Sequence, residues 1–322
     1  MQKILVTGGC GFIGSNFVRL LLEETQLGIV NLDSLTYAGN LANLKDVENN
    51  EKYSFVKGDI VNKADVEKAM EGVDTVFHFA AESHVDNSIN NADPFIKTNI
   101  QGTKNLLDVA REKNIERFVH ISTDEVYGSV EEGKSTEKDI LKPRNPYSAS
   151  KAASDLLALS YANTYHIDVI VTRSSNNYGP YQYPEKVIPL FVTNLMEEKK
   201  VPLYGTGENI RDWLFVEDNC RGIFTAGEKG KSGEIYNVDG GNELSNIELT
   251  KRILNEMGKT EEMIEQVEDR KGHDLRYSLN SSKLEALGWK PKKNFEAGLK
   301  ETIKWYKENE AWWKPLLKRS DY

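Results

Sequence analysis

Short apolar runs rich in β-branched residues alternate with longer helix-like stretches through the first half of the chain. Two of these runs, Lys3–Val6 and Thr75–Phe79, are mostly apolar, as expected for strands buried on both faces. The alternation predicts a parallel sheet with helices on either side. The predicted strands are Lys3–Val6, Gly28–Leu32, Tyr53–Val56, Thr75–Phe79, Arg117–Ser122 and Asp168–Thr172. The predicted helices are Gly14–Glu24, Lys63–Met70, Pro94–Lys113 and Pro146–Tyr165.

The regular alternation of strand-like and helix-like stretches ends after Arg173. Residues Ser174–Pro184 are rich in Ser, Asn, Tyr, Gly and Pro and predict a loop. Farther on, Ser245 and Glu248 form a capping-box pattern for a helix that runs to Met257. The other predicted elements are a helix at Val187–Glu198, strands at Val201–Tyr204, Trp213–Val216 and Ile235–Val238, and a last helix at Phe295–Lys307.

We therefore expect a doubly wound, Rossmann-like α/β fold with a smaller α/β domain interleaved with it. The first domain would comprise residues 1–175 plus about 212–239, and the second about 176–211 plus 240–322.

Composition limits the classes of protein to which the chain could belong. A formal net charge of −9 over 322 residues disfavours nucleic-acid binding, which needs a basic face. An anionic substrate would need local cations or backbone N–H groups. Two cysteines, Cys10 and Cys220, are too few for a disulfide scaffold or a zinc site. No apolar run approaches the roughly 18 residues of a membrane span. The first residues are typical of a strand and not of a signal peptide, so we expect a cytoplasmic protein.

Three glycines, Gly8, Gly11 and Gly14, follow the first strand and open the first helix, with Phe12 and Ile13 between them. Such glycines allow a tight turn, close approach of the backbone to a pyrophosphate, and close helix–strand packing. The helix N-terminus offers N–H groups to the phosphates. Asp33 ends the second strand 19 residues after Gly14, where a carboxylate accepts hydrogen bonds from a ribose and repels a 2′-phosphate. The pattern predicts NAD in preference to NADP.

The next two strands end in residues that could also line a cofactor crevice. Asp59 and Ile60 follow the third strand, and Ala80 and Ala81 follow the fourth. Small residues at the carboxyl end of a parallel strand leave room for a ligand.

Tyr147 and Lys151 share one face of a helix that Asn145 and Pro146 are suited to begin. A tyrosine with a pKa of about 10 is a poor base at neutral pH. We expect the Lys151 ammonium and a nicotinamide charge to lower that pKa.

A second candidate site lies at the end of the fifth strand, where Thr123 precedes the adjacent carboxylates Asp124 and Glu125. An adjacent pair can act as acid and base when their surroundings separate their pKa values.

These motifs together resemble the extended short-chain dehydrogenase/reductase superfamily. Further strings of residues resemble one family of this superfamily, the dTDP-glucose 4,6-dehydratases, which catalyse the second step of dTDP-rhamnose biosynthesis. These strings are Leu35–Asn40, Ala81–Asp86, Thr123–Gly128, Tyr147–Lys151, Arg211–Trp213 and Gly272–Asp274.

The resemblance implies a reaction on the hexose of a nucleotide-sugar with NAD as a retained cofactor. Tyr147 would take the C4 hydroxyl proton during oxidation, and Thr123 would hydrogen-bond that hydroxyl. Glu125 would remove the C5 proton and protonated Asp124 would donate to the leaving C6 hydroxyl. Hydride would then return to C6, which gives the 4-keto-6-deoxy sugar.

The resemblance also implies binding residues. For NAD it adds Ser34, Thr36, Ser83, Asn99, Tyr147, Lys151 and Asn177 to the residues named above. For dTDP-glucose it implies Ser83, His84, Thr123, Asn176, Lys186, Tyr204, Arg211, Asn246, Arg270, His273 and Tyr277. No metal is expected.

The chain departs from the family pattern in three places. Asn87 stands where Arg is usual, Lys271 where Pro is common, and residues 128–144 are shorter than in many relatives. The family also pairs the equivalents of helices Pro94–Lys113 and Pro146–Tyr165 between subunits, so we expect a homodimer.

Other functions remain open from the sequence. A nucleotide-sugar 4-epimerase needs Tyr147, Lys151 and NAD but has no use for Asp124 and Glu125. A UDP-sugar decarboxylase is a second alternative. A non-catalytic dinucleotide sensor could keep the glycines but has no reason to keep all four side chains.

Overall fold

A computed structural model describes residues 1–269 and 272–317. Its strands, in chain order, are β1 (Lys3–Thr7), β2 (Gly28–Asp33), β3 (Tyr53–Lys57), β4 (Thr75–His78), β5 (Arg117–Thr123), β6 (Val169–Ser174), β7 (Asn176–Tyr178), β8 (Val201–Tyr204), β9 (Ile210–Phe215), β10 (Ile235–Val238), β11 (Glu243–Ser245) and β12 (Ile264–Val267).

The helices are α1 (Phe12–Glu24), α2 (Lys63–Ala69), α3 (Val85–Asn90), α4 (Asp93–Phe95), α5 (Thr103–Glu112), α6 (Pro146–Tyr165), α7 (Val187–Met196), α8 (Val216–Lys229), α9 (Asn246–Met257), α10 (Ser282–Glu285), α11 (Phe295–Glu308) and α12 (Glu310–Leu317). Turns of 3-10 helix lie at Leu41–Leu44, Asp124–Tyr127 and Glu261–Met263, and Ile96–Gly102 is a π-helical segment.

Seven of these strands form one parallel sheet in the order β10-β6-β5-β4-β1-β2-β3. Both faces are covered. Ile4 and Val6 of β1 pack in a core that includes Phe17 of α1 and Ile223 of α8, whereas Leu5 between them packs in the core that includes Val109 of α5. This is the doubly wound sheet expected from the sequence. Its strand order reverses between β1 and β4, which opens a crevice at their carboxyl ends.

A smaller α/β unit is built from a three-stranded sheet, β11-β9-β7, and a two-stranded sheet, β12-β8. Its core contains Tyr178, Trp213, Tyr306 and Trp313 and is formed largely by α7, α9, α11 and α12. Ser245 and Glu248 make the predicted capping box at the start of α9.

Several elements differ from the sequence prediction. Asn176–Tyr178, placed in a loop, is β7 and pairs with β9. The predicted helix Pro94–Lys113 is divided into α4, a π-helical segment and α5. Helices α3, α8, α10 and α12 and strands β11 and β12 were not predicted. In α8, two glycines lower the helix propensity, but a Cβ on Gly227 would lie 2.6 Å from the Phe77 ring, so packing against β4 requires one of them.

Candidate active site

A cleft of about 360 Å³ lies along the carboxyl ends of the central strands, within the range of small-molecule sites. It brings the glycine motif and the predicted catalytic residues into one cavity. The predicted residues that line it are Gly8, Gly11, Phe12, Ile13, Gly14, Asp33, Ser34, Thr36, Asp59, Ile60, Ala80, Ala81, Ser83, Thr123, Asp124, Glu125, Tyr147, Lys151, Asn176, Asn177 and Lys186.

The glycine loop forms one end of the cleft. Gly8 has a φ of +72°, and a Cβ there would lie 2.7 Å from the Ala80 nitrogen. A Cβ on Gly14 would lie 2.3 Å from the Gly8 carbonyl oxygen. Gly11 is the N-cap of α1 and has no side chain to bond the first N–H groups of the helix. The loop is therefore shaped for an anion that those N–H groups can bind.

Asp33 ties the end of β2 to the glycine loop. Its Oδ2 accepts a hydrogen bond from the Cys10 nitrogen at 2.9 Å, and its Oδ1 accepts one from the Leu35 nitrogen at 2.8 Å. Burial raises the pKa of Asp33, and these two backbone donors oppose the rise.

Thr123, Asp124 and Glu125 occupy the turn where β5 ends. The Thr123 hydroxyl donates to Asp124 Oδ1 at 3.2 Å and accepts a hydrogen bond from the Glu125 nitrogen at 3.3 Å. Asp124 is only 3 % exposed. Burial, followed by the Glu125 charge, raises the pKa of Asp124 well above its usual value, while Arg211 opposes that rise. The site thus favours a protonated Asp124 beside Glu125, which is the asymmetry that an acid–base pair needs.

Tyr147 lies in the first turn of α6, which Asn145 and Ser148 cap reciprocally. Burial and the Glu125 charge raise the pKa of Tyr147, whereas a hydrogen bond with Thr123 lowers it. The predicted lowering of this pKa includes the charge of a bound nicotinamide, and the contacts of the chain alone leave the pKa raised. Desolvation of a fully buried phenol outweighs the favourable contacts that the chain supplies.

Lys151 is also buried, and its Nζ donates to the Ile121 carbonyl oxygen at 2.7 Å. Burial lowers the pKa of Lys151 to about 8, and Asp155 opposes that change. Asp155 in turn accepts from Arg173 Nε at 2.8 Å and lies 3.3 Å from His120 Nε2. Sequence reasoning missed Asp155, although its i+4 spacing from Lys151 on α6 was a usable signal.

Two histidines in neighbouring strands, His78 of β4 and His120 of β5, have structural partners. His78 bonds the Thr7 and Thr103 hydroxyls, and His120 bonds Ser154. Burial lowers the pKa of His120 to about 4, which favours a neutral ring.

Asn99, predicted to bind the cofactor, lies behind the cleft lining. Its Oδ1 accepts from the Glu82 nitrogen at 2.9 Å, and its Nδ2 donates to the Glu82 oxygen at 3.0 Å and to Ser150 at 2.9 Å. Asn99 therefore fixes the backbone of Glu82, the residue after Ala81. The lining also includes residues that sequence reasoning did not name, among them Glu82, Gln182, Tyr183 and Glu185.

Several predicted substrate residues lie outside the lining of this cleft, namely His84, Tyr204, Arg211, Asn246, His273 and Tyr277. Arg211 stacks over the Tyr277 ring at 4.3 Å and donates to the Asp274 oxygen at 3.0 Å. The Tyr204 and His273 rings are 6.3 Å apart, and Asn246 begins α9. Arg270 and Lys271 lie outside the described residues.

Lys186 lines the cleft, and His84 lies next to the lining residue Glu185, with its Nε2 4.0 Å from a Glu185 carboxylate oxygen. His84 is the N-cap of α3 and accepts a hydrogen bond from the nitrogen of Asn87, one of the positions that depart from the family pattern, at 3.3 Å. Lys186 Nζ donates to the Ser83 carbonyl oxygen at 3.1 Å. A cation at this point can meet an anionic ligand.

Membrane-spanning helices and metal clusters are both missing from residues 1–269 and 272–317. No helix in these ranges combines the length and apolar character needed to cross a bilayer. Among the same residues, no group of three or more His, Cys, Asp or Glu is arranged to hold a metal ion.

Known proteins share this fold and much of this sequence. Residues 5–302 match the family described as GDP-mannose 4,6 dehydratase. The dTDP-glucose 4,6-dehydratase of Streptomyces niveus is 51 % identical in an alignment of 321 positions that covers 98 % of this chain and 96 % of the relative.

Solved structures of related enzymes also resemble this chain in fold and sequence. DesIV, the dTDP-glucose 4,6-dehydratase of Streptomyces venezuelae solved with NAD and TYD bound, has a TM-score of 0.97 and 51 % identity, covering 98 % of this chain and 100 % of that one. The UDP-glucose 4-epimerase of Thermus thermophilus, solved with NAD, has a TM-score of 0.88 and 30 % identity, covering 96 % of this chain and 100 % of that one. The chain belongs to the family described as GDP-mannose 4,6 dehydratase and, within it, to the dTDP-glucose 4,6-dehydratases.

Proposed function

We propose that the chain is an NAD-dependent carbon–oxygen lyase that converts dTDP-glucose to dTDP-4-keto-6-deoxyglucose and water. One observation supports this function above the others. Asp124 and Glu125 line the same cleft as Thr123 and Tyr147, and the surroundings of Asp124 favour its protonated form. An epimerase has no step that would use this pair.

The residues present fit NAD. Gly8, Gly11 and Gly14 shape a cradle that a Cβ would fill, and the N-terminus of α1 faces it with Phe12 and Ile13 in the lining. Asp33 at the end of β2 is placed for a ribose, and Lys151 and Asn177 line the same cleft. When bound, NAD supplies the group that accepts hydride from C4 of the sugar and returns it at C6.

The first role of the protein is to remove the proton from the C4 hydroxyl. We assign this proton transfer to Tyr147, because its phenol shares the cavity with the predicted nicotinamide site. Thr123 hydrogen-bonds Tyr147 and would also orient the substrate hydroxyl. The pKa of Tyr147 is raised in the chain without NAD. The positive charge of bound NAD⁺ and the Lys151 ammonium must therefore together offset the effect of burial on this pKa.

The second role is elimination of water across C5 and C6. The new ketone at C4 acidifies the C5 proton, and Glu125 would remove it as a general base. Asp124 would donate its proton to the C6 hydroxyl, which leaves as water. Glu125 is reset when it returns a proton to C5. Asp124 is reset by the proton that Tyr147 took from the C4 hydroxyl, passed on directly or through solvent, so that the overall reaction releases only water.

The substrate nucleotide needs cations on a protein with a net charge of −9. Lys186 lines the cleft and is our first candidate for the diphosphate. Arg211 is near enough to Asp124 to affect its pKa, and we propose it as a second contact. We also propose that residues 1–175 plus about 212–239 form the NAD-binding domain and that residues about 176–211 plus 240–322 form the nucleotide-sugar-binding domain.

A homodimer is proposed from exposed apolar side chains. Leu156 on α6 is 59 % exposed and Ile96 in the adjoining π-helical segment is 52 % exposed. Exposed apolar groups on neighbouring helices favour a partner surface.

The decisive experiment is incubation with dTDP-glucose in heavy water, with the product analysed by NMR. We expect the 4-keto-6-deoxy sugar with deuterium at C5. Formation of dTDP-galactose without deuterium at C5 would assign the chain to the epimerases instead. Parallel reactions with UDP-, CDP- and GDP-glucose would measure the preference for the base.

A further inference from the structure

The middle of the glycine loop is held by Asp33, which lines the cleft, and by Asn40 and Asn43, which lie outside its lining. The Cys10 nitrogen donates to Asp33 Oδ2 at 2.9 Å, and the Cys10 carbonyl oxygen accepts hydrogen bonds from the Asn40 nitrogen at 3.0 Å and from Asn43 Nδ2 at 2.8 Å. Cys10 lies between Gly9 and Gly11, which restrict the backbone little. Contacts with the Cys10 peptide therefore determine where the loop lies.

Asn43 is the side-chain member of that support. It lies in the 3-10 turn Leu41–Leu44 and is only 1 % exposed. Its Oδ1 accepts a hydrogen bond from the indole nitrogen of Trp312 at 2.8 Å. A flipped carboxamide would set N–H against N–H and oxygen against oxygen, so the two partners allow only one orientation.

Trp312 comes from α12, which packs in the core of the smaller unit. Its ring meets Trp305 edge-on at 4.9 Å and Tyr181 at 5.9 Å. Tyr181 in turn lies under the Arg19 guanidinium at 4.0 Å, and Arg19 also donates to the Asn43 carbonyl oxygen. Aromatic contacts thus hold the Trp312 indole, the donor of the hydrogen bond, and Arg19 holds the backbone of Asn43, the acceptor.

We propose that Trp312 is a positioning residue for the dinucleotide loop. It orients Asn43, and Asn43 holds the Cys10 peptide in the conformation that receives the NAD pyrophosphate. This inference rests on the proposed NAD site. The physical gain is preorganisation, because a loop that is already ordered loses less conformational entropy when the ligand binds.

The test is the rate at which NAD leaves the holoenzyme. Released NAD is trapped by an excess of an alcohol dehydrogenase with ethanol, which converts it to NADH. Trp312→Phe keeps the ring and removes the N–H, and we expect NAD release to be roughly tenfold faster, the upper end for one hydrogen bond. Trp305→Phe is the matched control, since it changes the same aromatic cluster without removing this donor, and should stay within about twofold.

A second variant keeps the proposal testable if the first is unstable. Asn43→Asp retains the acceptor for Trp312 and removes the donor to Cys10, so it should also accelerate NAD release. In the double variant the two effects should be less than additive, because both break one chain of hydrogen bonds. Affinity for dTDP should be unchanged in all of them.

The outcomes separate the two proposals. Equal NAD release from wild type and Trp312→Phe, or equal acceleration by Trp305→Phe, overturns the positioning role. Additive effects in the double variant overturn it as well. A wild-type protein that retains no NAD contradicts the proposed function itself.

Discussion

The Lys151 ammonium donates a hydrogen bond to the carbonyl oxygen of Ile121, 2.7 Å away, and both residues line the cleft. This bond fixes the amine at the end of β5, one helical turn from Tyr147 on α6. Its placement has a consequence for the pH dependence of the reaction.

Burial lowers the pKa of Lys151 to about 8. The ammonium is therefore present below that pH and is lost as the pH rises through it, and with it a charge that favours the Tyr147 phenolate. We expect kcat/KM to fall on the alkaline side near pH 8. Lys151→Met should lower kcat/KM by about 10²-fold or more and abolish that limb. Lys290→Met, at a side chain that is 74 % exposed, is the control. A limb that stays in place without Lys151 would rule out this assignment.

Asp124 and Glu125 are predicted to serve elimination and not oxidation. Asp124→Asn and Glu125→Gln should each slow water loss by about 10²- to 10⁴-fold, while the nicotinamide is still reduced by dTDP-glucose. Single-turnover absorbance follows the reduction, and product analysis follows water loss. Glu132→Gln, in an exposed loop, should change neither step. Equal loss of both steps would contradict the assigned roles.

Gly14→Ala should destabilise the glycine loop although alanine has the higher helix propensity. Propensity would gain about 1 kcal/mol, but the added Cβ would lie 2.3 Å from the backbone oxygen of Gly8, and such overlap costs roughly 1–3 kcal/mol or more. We expect a lower unfolding midpoint and weaker NAD binding. Gly28→Ala is the control, because its Cβ would meet its nearest neighbour at 3.4 Å. An unchanged NAD affinity in Gly14→Ala would show that the loop can shift without loss.

Leu156→Asp should disrupt the proposed dimer. A charge at the centre of an apolar interface is unfavourable unless it is paired, so the variant should sediment as a monomer at concentrations where the wild type is a dimer. Ile140→Asp, at a side chain that is 76 % exposed but outside these helices, should leave the mass unchanged. Analytical ultracentrifugation distinguishes the results, and a monomeric wild type would refute the dimer.

The parts of the site that could be predicted are those set by short-range chemistry. The spacing of Gly8, Gly11 and Gly14 reflects contacts within one turn, and strand ends locate Asp33 and Asp124 on the ligand edge of a parallel sheet. The family resemblance then supplied roles that spacing alone left open.

The parts that could not be predicted depend on distant packing. The pKa of Tyr147 follows from how completely α6 and β5 bury it. Strand β7 exists because β9 pairs with it, and Trp312 meets Asn43 across 269 positions of the chain. A pattern within a short stretch of sequence does not predict contacts between residues so far apart in the chain.

Strand β10 pairs with β6 although α7, α8 and the strands β7, β8 and β9 separate them along the chain. During synthesis, residues up to Val238 must therefore be translated before β10 can pair with β6 and complete the large sheet. Until then β6 presents a bare row of backbone donors and acceptors, a template for unwanted pairing with other chains. Nascent chains stalled between Ser174 and Ile235 should accordingly depend on chaperones more than the finished polypeptide does.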